Sequence, residues 1–200
     1  LLKDRGKTVI YSFALEEAVP SWCVRASVRR AGGREGVPFW AMIETPRGVL
    51  RCDQIADRDD IVGLVAGTED LSKALHCRPG LHREALVTSL SSIVLAARAH
   101  GKACLDGVPR EVHPTEDALL RECIQGRNLG FDGRTLIHPA TIDTANDAYS
   151  PTRGDLAEAR RIVDAAERVD RDGVVVLDGR LVEALHVQRA RAVLDRWIVI

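Results

Sequence analysis

Long apolar runs are absent from this 200-residue chain. A bilayer-spanning helix needs about 20 consecutive apolar residues, and no stretch comes near that. Charge of one sign is lacking as well: 28 Lys and Arg stand against 29 Asp and Glu, a net charge of −1. That balance gives no electrostatic reason for a nucleic-acid or membrane partner. Paired cysteines are also missing. Cys23, Cys52, Cys77, Cys104 and Cys123 are odd in number and form no Cys-x-x-Cys, which argues against zinc ligation and against a disulfide frame. They read as reduced thiols, with Cys104 a buried apolar filler. Gly-x-Gly-x-x-Gly, a Walker-type loop and Gly-x-Ser-x-Gly do not occur, so nucleotide-binding and serine-hydrolase readings lack support. No charged-then-apolar leader is visible, which predicts a cytoplasmic protein. Position 1 is Leu, not Met, which predicts a fragment, a processed product or a trimmed start.

Hydrophobic residues make up 46% of the chain and charged ones 28%, the mixture of a globular protein long enough to bury one core. From residue 39 onward, short apolar runs alternate with helical patterns, which predicts β/α units and a parallel sheet. Strands are expected at Phe39 to Glu44, Ile61 to Ala66, Lys102 to Asp106 and Thr135 to His138. Near-continuous apolar strands suit a sheet covered on both faces. Between them, Leu86, Val87, Leu90, Ile93, Val94 and Ala97 repeat at helical spacing, with Gly101 as a C-cap. Thr115 caps the next helix, with Leu119, Leu120, Cys123 and Ile124 inward and Gly130 just past its end. Ser150-Pro151-Thr152 opens another, with Leu156, Ile162, Val163 and Ala166 on one face. Gly173 to Gly179 reads as a short strand and turn, and a last helix spans about Val182 to Leu194. Before residue 39, Thr8 to Tyr11 reads as a strand and Arg25 to Gly36 as a basic helix end and loop.

Two strings carry the chemistry: Trp40-Ala41-Met42-Ile43-Glu44-Thr45 and Gly67-Thr68-Glu69-Asp70-Leu71. Each is read as an apolar strand that stops at a carboxylate. Acids at the C-terminal ends of neighbouring parallel strands are how an α/β barrel builds a divalent-metal site. The same residues could equally be solvated acids paired with Arg47 or Lys73. Glu69, next to Asp70 in an extended segment, would face the other way. Asp106 could bond a ligand's water or simply form the turn before Gly107. Arg47 could bind an anion or only start a helix. His76, His82, His100, His113 and His186 show no ligand-like spacing and read as surface residues.

The ordered set of strings resembles the citrate lyase β-subunit-like branch of the HpcH/HpaI aldolase/citrate lyase superfamily. The matching segments are Ala41 to Gly48, Gly67 to Leu71, Leu105-Asp106-Gly107-Val108, Leu129 to Arg134, Ile137-His138-Pro139 and Val176 to Val182. They occupy roughly residues 38 to 195. The resemblance implies the second half of a (β/α)8 barrel (residues 39–150) followed by a C-terminal extension or lid (residues 151–200). Residues 1–38 form an atypical N-terminal segment that does not look like the family's first half.

For function, the resemblance implies a Mg2+-dependent carbon–carbon lyase. Its substrate would be a CoA or acyl-carrier thioester such as malyl-CoA, citramalyl-CoA or a citryl thioester. Glu44 and Asp70 would hold the metal and through it the substrate, and His138 would contact the thioester arm or bond backbone at the rim. The family's lid carries a general acid within Gly-x-x-Val-Asp. Here the string is Gly179-Arg180-Leu181-Val182-Glu183, so Glu183 takes that role with one methylene more. A homo-oligomer, a trimer or a multiple of one, would bring that lid over a neighbour's site. A free 2-oxo-acid aldolase of the sister branch, and a catalytically silent half-barrel with an assembly role only, remain open at this point.

Overall fold

The computed structural model describes residues 39–111, 113–168 and 175–198. The segment before residue 39, and the strand and loop expected within it, lie outside the described residues. The chain divides into two compact units, one running to Ala148 and the other starting at Tyr149.

The first unit is a run of β/α repeats. Strand β1 (Phe39–Ile43) leads to two short helices, α1 (Pro46–Leu50) and α2 (Cys52–Ala56), then to β2 (Ile61–Ala66) and α3 (Thr68–Ala74). A 3-10 turn (Glu84–Leu86) leads into α4 (Val87–Ala99), followed by β3 (Ala103–Asp106), α5 (Glu116–Leu129) and β4 (Gly133–Arg134). A second 3-10 turn (Pro139–Thr141) and α6 (Ile142–Tyr149) close the series. The four strands lie in sequential order and every pairing is parallel. Each crossover is helical, as parallel pairing demands, and four such units in order make half of an eight-stranded barrel.

Alternation decides what each face carries. In β1, Phe39, Ala41 and Ile43 are buried, while Trp40, Met42 and Glu44 are half-buried. The register pairs Trp40 with Gly63 and Met42 with Val65, so these four share one face. Opposite lies the helix-covered face, where Ile43, Ile61, Leu64, Leu71, Leu90 and Ile93 are fully buried. Each such aliphatic side chain contributes about 1.5–3 kcal/mol to folding.

Helix α5 begins and ends where the sequence places its caps. Thr115 Oγ1 accepts from the Ala118 N–H, and Gly130, at φ 104°, ends α5 in the left-handed region that suits glycine. The predicted β1, β2 and β3 match the observed strands to within a residue at each end. The fourth does not: it is only Gly133–Arg134, upstream of the expected Thr135 to His138. The reason is Arg134. Its guanidinium is fully buried, donating to the Gly107 carbonyl, contacting Cys123 Sγ and pairing with Glu122 at 2.9 Å. With Arg134 held there, the strand starts two residues before the expected Thr135 and ends four before the expected His138.

Asp106 lies on the same helix-covered face, completely buried and paired with Arg83 at 2.8 Å. Its Oδ1 also accepts from the Gly107 N–H, while Oδ2 has no hydrogen-bond partner. Arg83 reaches it from a left-handed backbone conformation and also donates to Gln125. Asp106 therefore ties β3 to the loop before α4 and does not face the barrel interior, so the ligand-water role considered for it is not the one it takes. Four of the cysteines are described and free; burial pushes the Cys104 thiol up to about 12.

The second unit holds α7 (Arg153–Glu167), a hairpin of β5 (Val175–Leu177) and β6 (Arg180–Val182), and α8 (Ala184–Ile198). Thr152 and Asp155 form a reciprocal capping box at the start of α7. Asp178 and Gly179 both take positive φ, the demand of a two-residue hairpin turn. Strand β6 was not expected: Arg180 to Val182 pairs back on β5 and delays the last helix to Ala184.

Removing one member of a buried ion pair leaves the other charge uncompensated, at about 3–5 kcal/mol. Asp106→Ala is therefore expected to lose stability on that scale in urea denaturation, with Arg83 left buried.

Candidate functional site

Glu44 directly follows β1, and Gly67 directly follows β2. The ladder fixes them side by side: Ile43 pairs with Ala66, and the Gly67 N–H donates to the Ile43 carbonyl at 2.9 Å. Gly67 is also the N-cap of α3, whose first turn carries Glu69 and Asp70. Asp70 thus sits on a helix and not on a strand end, as the sequence reading had placed it. The expected opposition of Glu69 and Asp70 rested on an extended backbone. On a helix, neighbours diverge by about 100°, and both are exposed.

The structure places the two predicted carboxylates within electrostatic reach of each other. The Glu44 carboxyl is held above the usual carboxylate range, first by partial burial and then by the negative charge of Asp70. Among the described residues, no ion pair joins either acid to Lys73. Two like charges facing one another without a cation are costly, and a divalent ion relieves that cost directly.

The donor set indicates which ion fits. Among the described residues, no group of three or more His, Cys, Asp or Glu is placed to hold a metal. Zinc sites normally draw three or four such ligands from the protein. Magnesium is commonly held by one or two carboxylates and completes its octahedron with water and substrate oxygens. Glu44 and Asp70 fit that pattern. Space has also been cleared for the carboxylate: a Cβ on Gly67 would lie 2.4 Å from Glu44 Cβ and 3.0 Å from its Oε2.

His138 follows β4 and caps the 3-10 turn, with Nδ1 accepting from the Ala140 N–H at 3.2 Å. Its ring meets that of His113 edge-on, centroids 4.7 Å apart. The two imidazoles border a shallow cavity of about 190 Å³ with Thr141 and Thr144. His138 lies four residues past the end of β4, and its observed partners are His113 and the Ala140 N–H, not the carboxylate pair. His113 was read as a surface residue, and nothing in its spacing announced this contact. His100 is likewise engaged, bonding Asp53 at 2.8 Å.

Glu183 belongs to the second unit. It is exposed, immediately precedes α8, and donates its backbone N–H to His186 Nδ1 at 2.9 Å.

Three comparisons with known proteins bear on this site. The family model of HpcH/HpaI aldolase/citrate lyase matches residues 17–139, and so begins inside the first 38 residues. A (3S)-malyl-CoA thioesterase of Cereibacter sphaeroides (strain ATCC 17025 / ATH 2.4.3) is 46% identical over 162 residues, covering 80% of this chain and 56% of that protein. Citrate lyase subunit beta of Escherichia coli (strain K12) is 36% identical over 174 residues, covering 84% of this chain and 57% of that protein. The chain thus spans little more than half the length of these two relatives. Among solved structures, protein CitE from Mycobacterium tuberculosis, in complex with magnesium, acetoacetate and coenzyme A, matches with a TM-score of 0.75 at 28% identity. It covers 94% of this chain and 67% of CitE.

Removing the charge on Asp70 takes away one of the two causes that raise the Glu44 carboxyl. In Asp70→Asn, Glu44 is expected to titrate at lower pH while staying above the ordinary value, because its burial remains. Side-chain carboxyl NMR against pH measures this, and an unchanged Glu44 would mean that the two acids do not face each other.

Proposed function

Because this chain belongs to the HpcH/HpaI aldolase/citrate lyase family, we propose that it serves a magnesium-dependent carbon–carbon lyase acting on a 3-hydroxyacyl thioester. The substrate class is that of malyl-CoA, citramalyl-CoA or a citryl thioester. The observation that supports this reading is the Glu44–Asp70 pair: two carboxylates just past neighbouring parallel strands, close enough for the charge of Asp70 to raise the Glu44 carboxyl.

In the proposed reaction the 3-hydroxyl loses its proton and the bond between C2 and C3 breaks. The products are a 2-oxo acid (glyoxylate, pyruvate or oxaloacetate) and the enolate of the acyl thioester. Bound Mg2+ would chelate the substrate's carboxylate and adjacent oxygen and lower the cost of the alkoxide charge. Glu44 and Asp70 hold the ion and through it orient the acid. Glu183 gives the enolate its proton, and His138 contacts the thioester arm at the rim. Residues 151–200 serve as the lid that delivers Glu183, in a homo-oligomer where one copy covers another's site. The glutamate reaches about one C–C bond further than an aspartate would, and a displacement on that scale can cost about a hundredfold in rate.

A second reading has a specific observation behind it. The relative at 46% identity is named a (3S)-malyl-CoA thioesterase, so hydrolysis of the acyl–sulfur bond is an alternative outcome at the same site. The products separate the two readings. With malyl-CoA and Mg2+, a lyase releases glyoxylate and leaves the sulfur acylated, whereas a thioesterase releases a free thiol and no glyoxylate.

The lyase reading expects glyoxylate, abolished by chelation and reduced roughly a hundredfold or more in Glu44→Gln and in Asp70→Asn. Phenylhydrazone absorbance follows glyoxylate, and a thiol reagent follows CoA. Neither product, at any metal concentration, would leave only the assembly role. Glu183→Gln is expected to slow turnover while leaving magnesium binding unchanged.

A further inference from the structure

The turn that carries Asp70 is packed with no room to spare, and glycine is the reason it fits. Gly67 takes φ −92° and ψ 76°, a conformation open to any residue, so backbone freedom does not account for glycine here. The space does. A Cβ on Gly67 would lie 2.4 Å from Glu44 Cβ, closer than non-bonded carbon atoms come, and a tight 3.2 Å from Met42 Cγ. Gly107 faces the other side of the same turn, where a Cβ would lie 2.6 Å from both the Ala66 carbonyl oxygen and Thr68 Oγ1. The segment Ala66-Gly67-Thr68 is therefore wedged between the end of β1 and the end of β3. Any push on it reaches Glu44 across the ladder and Asp70 along α3.

We propose that Gly67, backed by Gly107, is a positioning residue: by lacking a Cβ it lets the Glu44 and Asp70 carboxylates converge on one cation. The proposal rests on the metal reading above. Contacts to magnesium are confined to 2.0–2.1 Å in near-ideal octahedral geometry, so a shift of a few tenths of an ångström between the two ligand-bearing segments is felt in affinity. Gly63 supplies the control. It lies within β2, four positions before Gly67, and its Cβ would meet the Trp40 ring at 2.4 Å, an equally severe clash. Four residues separate it from Gly67, roughly 13 Å along the strand, so that clash falls well away from the carboxylates.

The experiment is magnesium titration calorimetry on the full 200-residue chain, with thermal unfolding measured in parallel. Gly67→Ala is expected to bind Mg2+ roughly 10–100-fold more weakly, the range seen when residues that orient a ligand are altered. Gly63→Ala should lose thermal stability and keep its affinity within about twofold. Gly107→Ala carries the same test through Thr68 and Ala66, independently of contact with Glu44, should Gly67→Ala not fold by far-UV circular dichroism. If wild type and Gly67→Ala bind equally, or if Gly63→Ala weakens binding as much, the positioning role falls and the metal reading stands. If the wild-type chain takes up no magnesium, the metal reading falls and this inference with it.

Discussion

The parallel register between β1 and β2 is the constraint on which the site depends. One backbone hydrogen bond, from Gly67 N–H to the Ile43 carbonyl, locks the residue after one strand beside the residue after the next. Glu44 follows Ile43, and α3 starts at Gly67, so the ladder delivers one carboxylate from a strand end and the other from a helix start. A slip of one residue would turn Glu44 to the helix-covered face, where desolvation would neutralise it. The many aliphatic side chains buried on that face oppose such a slip, which is how an ordinary hydrophobic core comes to specify a charged pair some distance away.

The two faces of the sheet divide the ionisable groups by task. On the helix-covered face, Asp106, Arg83, Arg134 and Glu122 are paired, largely buried and equal in positive and negative charge. They tie the ends of β3 and β4 to α5 and to the loop before α4. On the other face stand Glu44 and, at the start of α3, Asp70: two charges of one sign with no partner of the other among the described residues. A neutral buried network is what a scaffold tolerates. An unbalanced pair is what a ligand is needed to balance, and unbalanced pairs of this kind concentrate at functional sites. The contrast between Asp106 and Glu44, each at the C-terminal end of a strand, comes from alternation alone.

Most of this was legible in the residues, for identifiable reasons. Strands β1 to β3 are short, largely apolar runs with sharp ends, and Thr115, Gly130 and Asp178-Gly179 mark boundaries by local chemistry that acts within a few residues. What escaped depends on distant partners. Strand β4 moved because Arg134 finds Glu122 and the Gly107 carbonyl, and β6 formed because Arg180 to Val182 meets β5; neither partner can be read from local pattern. Asp70 was assigned to a strand end because Gly67-Thr68 looked like the end of an apolar run, whereas Gly67 caps a helix. Arg83 gave no signal, its partner Asp106 lying 23 residues on. The nearness of Glu44 to Asp70 has a local reason, since each lies just past one of two neighbouring parallel strands.

A site with only two protein carboxylates among its described ligands has a thermodynamic consequence. In the proposed complex, the octahedron of the ion is completed by water until an oxo acid or hydroxy acid displaces some of it. Each ligand would then improve the site for the other: the acid would supply further oxygens, and the ion would supply the charge that Glu44 and Asp70 would otherwise deny to an anion. Affinity of the chain for the metal and for the acid must rise by the same factor, because coupling between two binding events is reciprocal. A third protein carboxylate would bind the ion more tightly alone, yet would repel the anionic substrate and occupy the position at which it chelates. On the proposed reading, two acids placed by register and given room by a glycine would retain the cation while leaving the substrate's positions open.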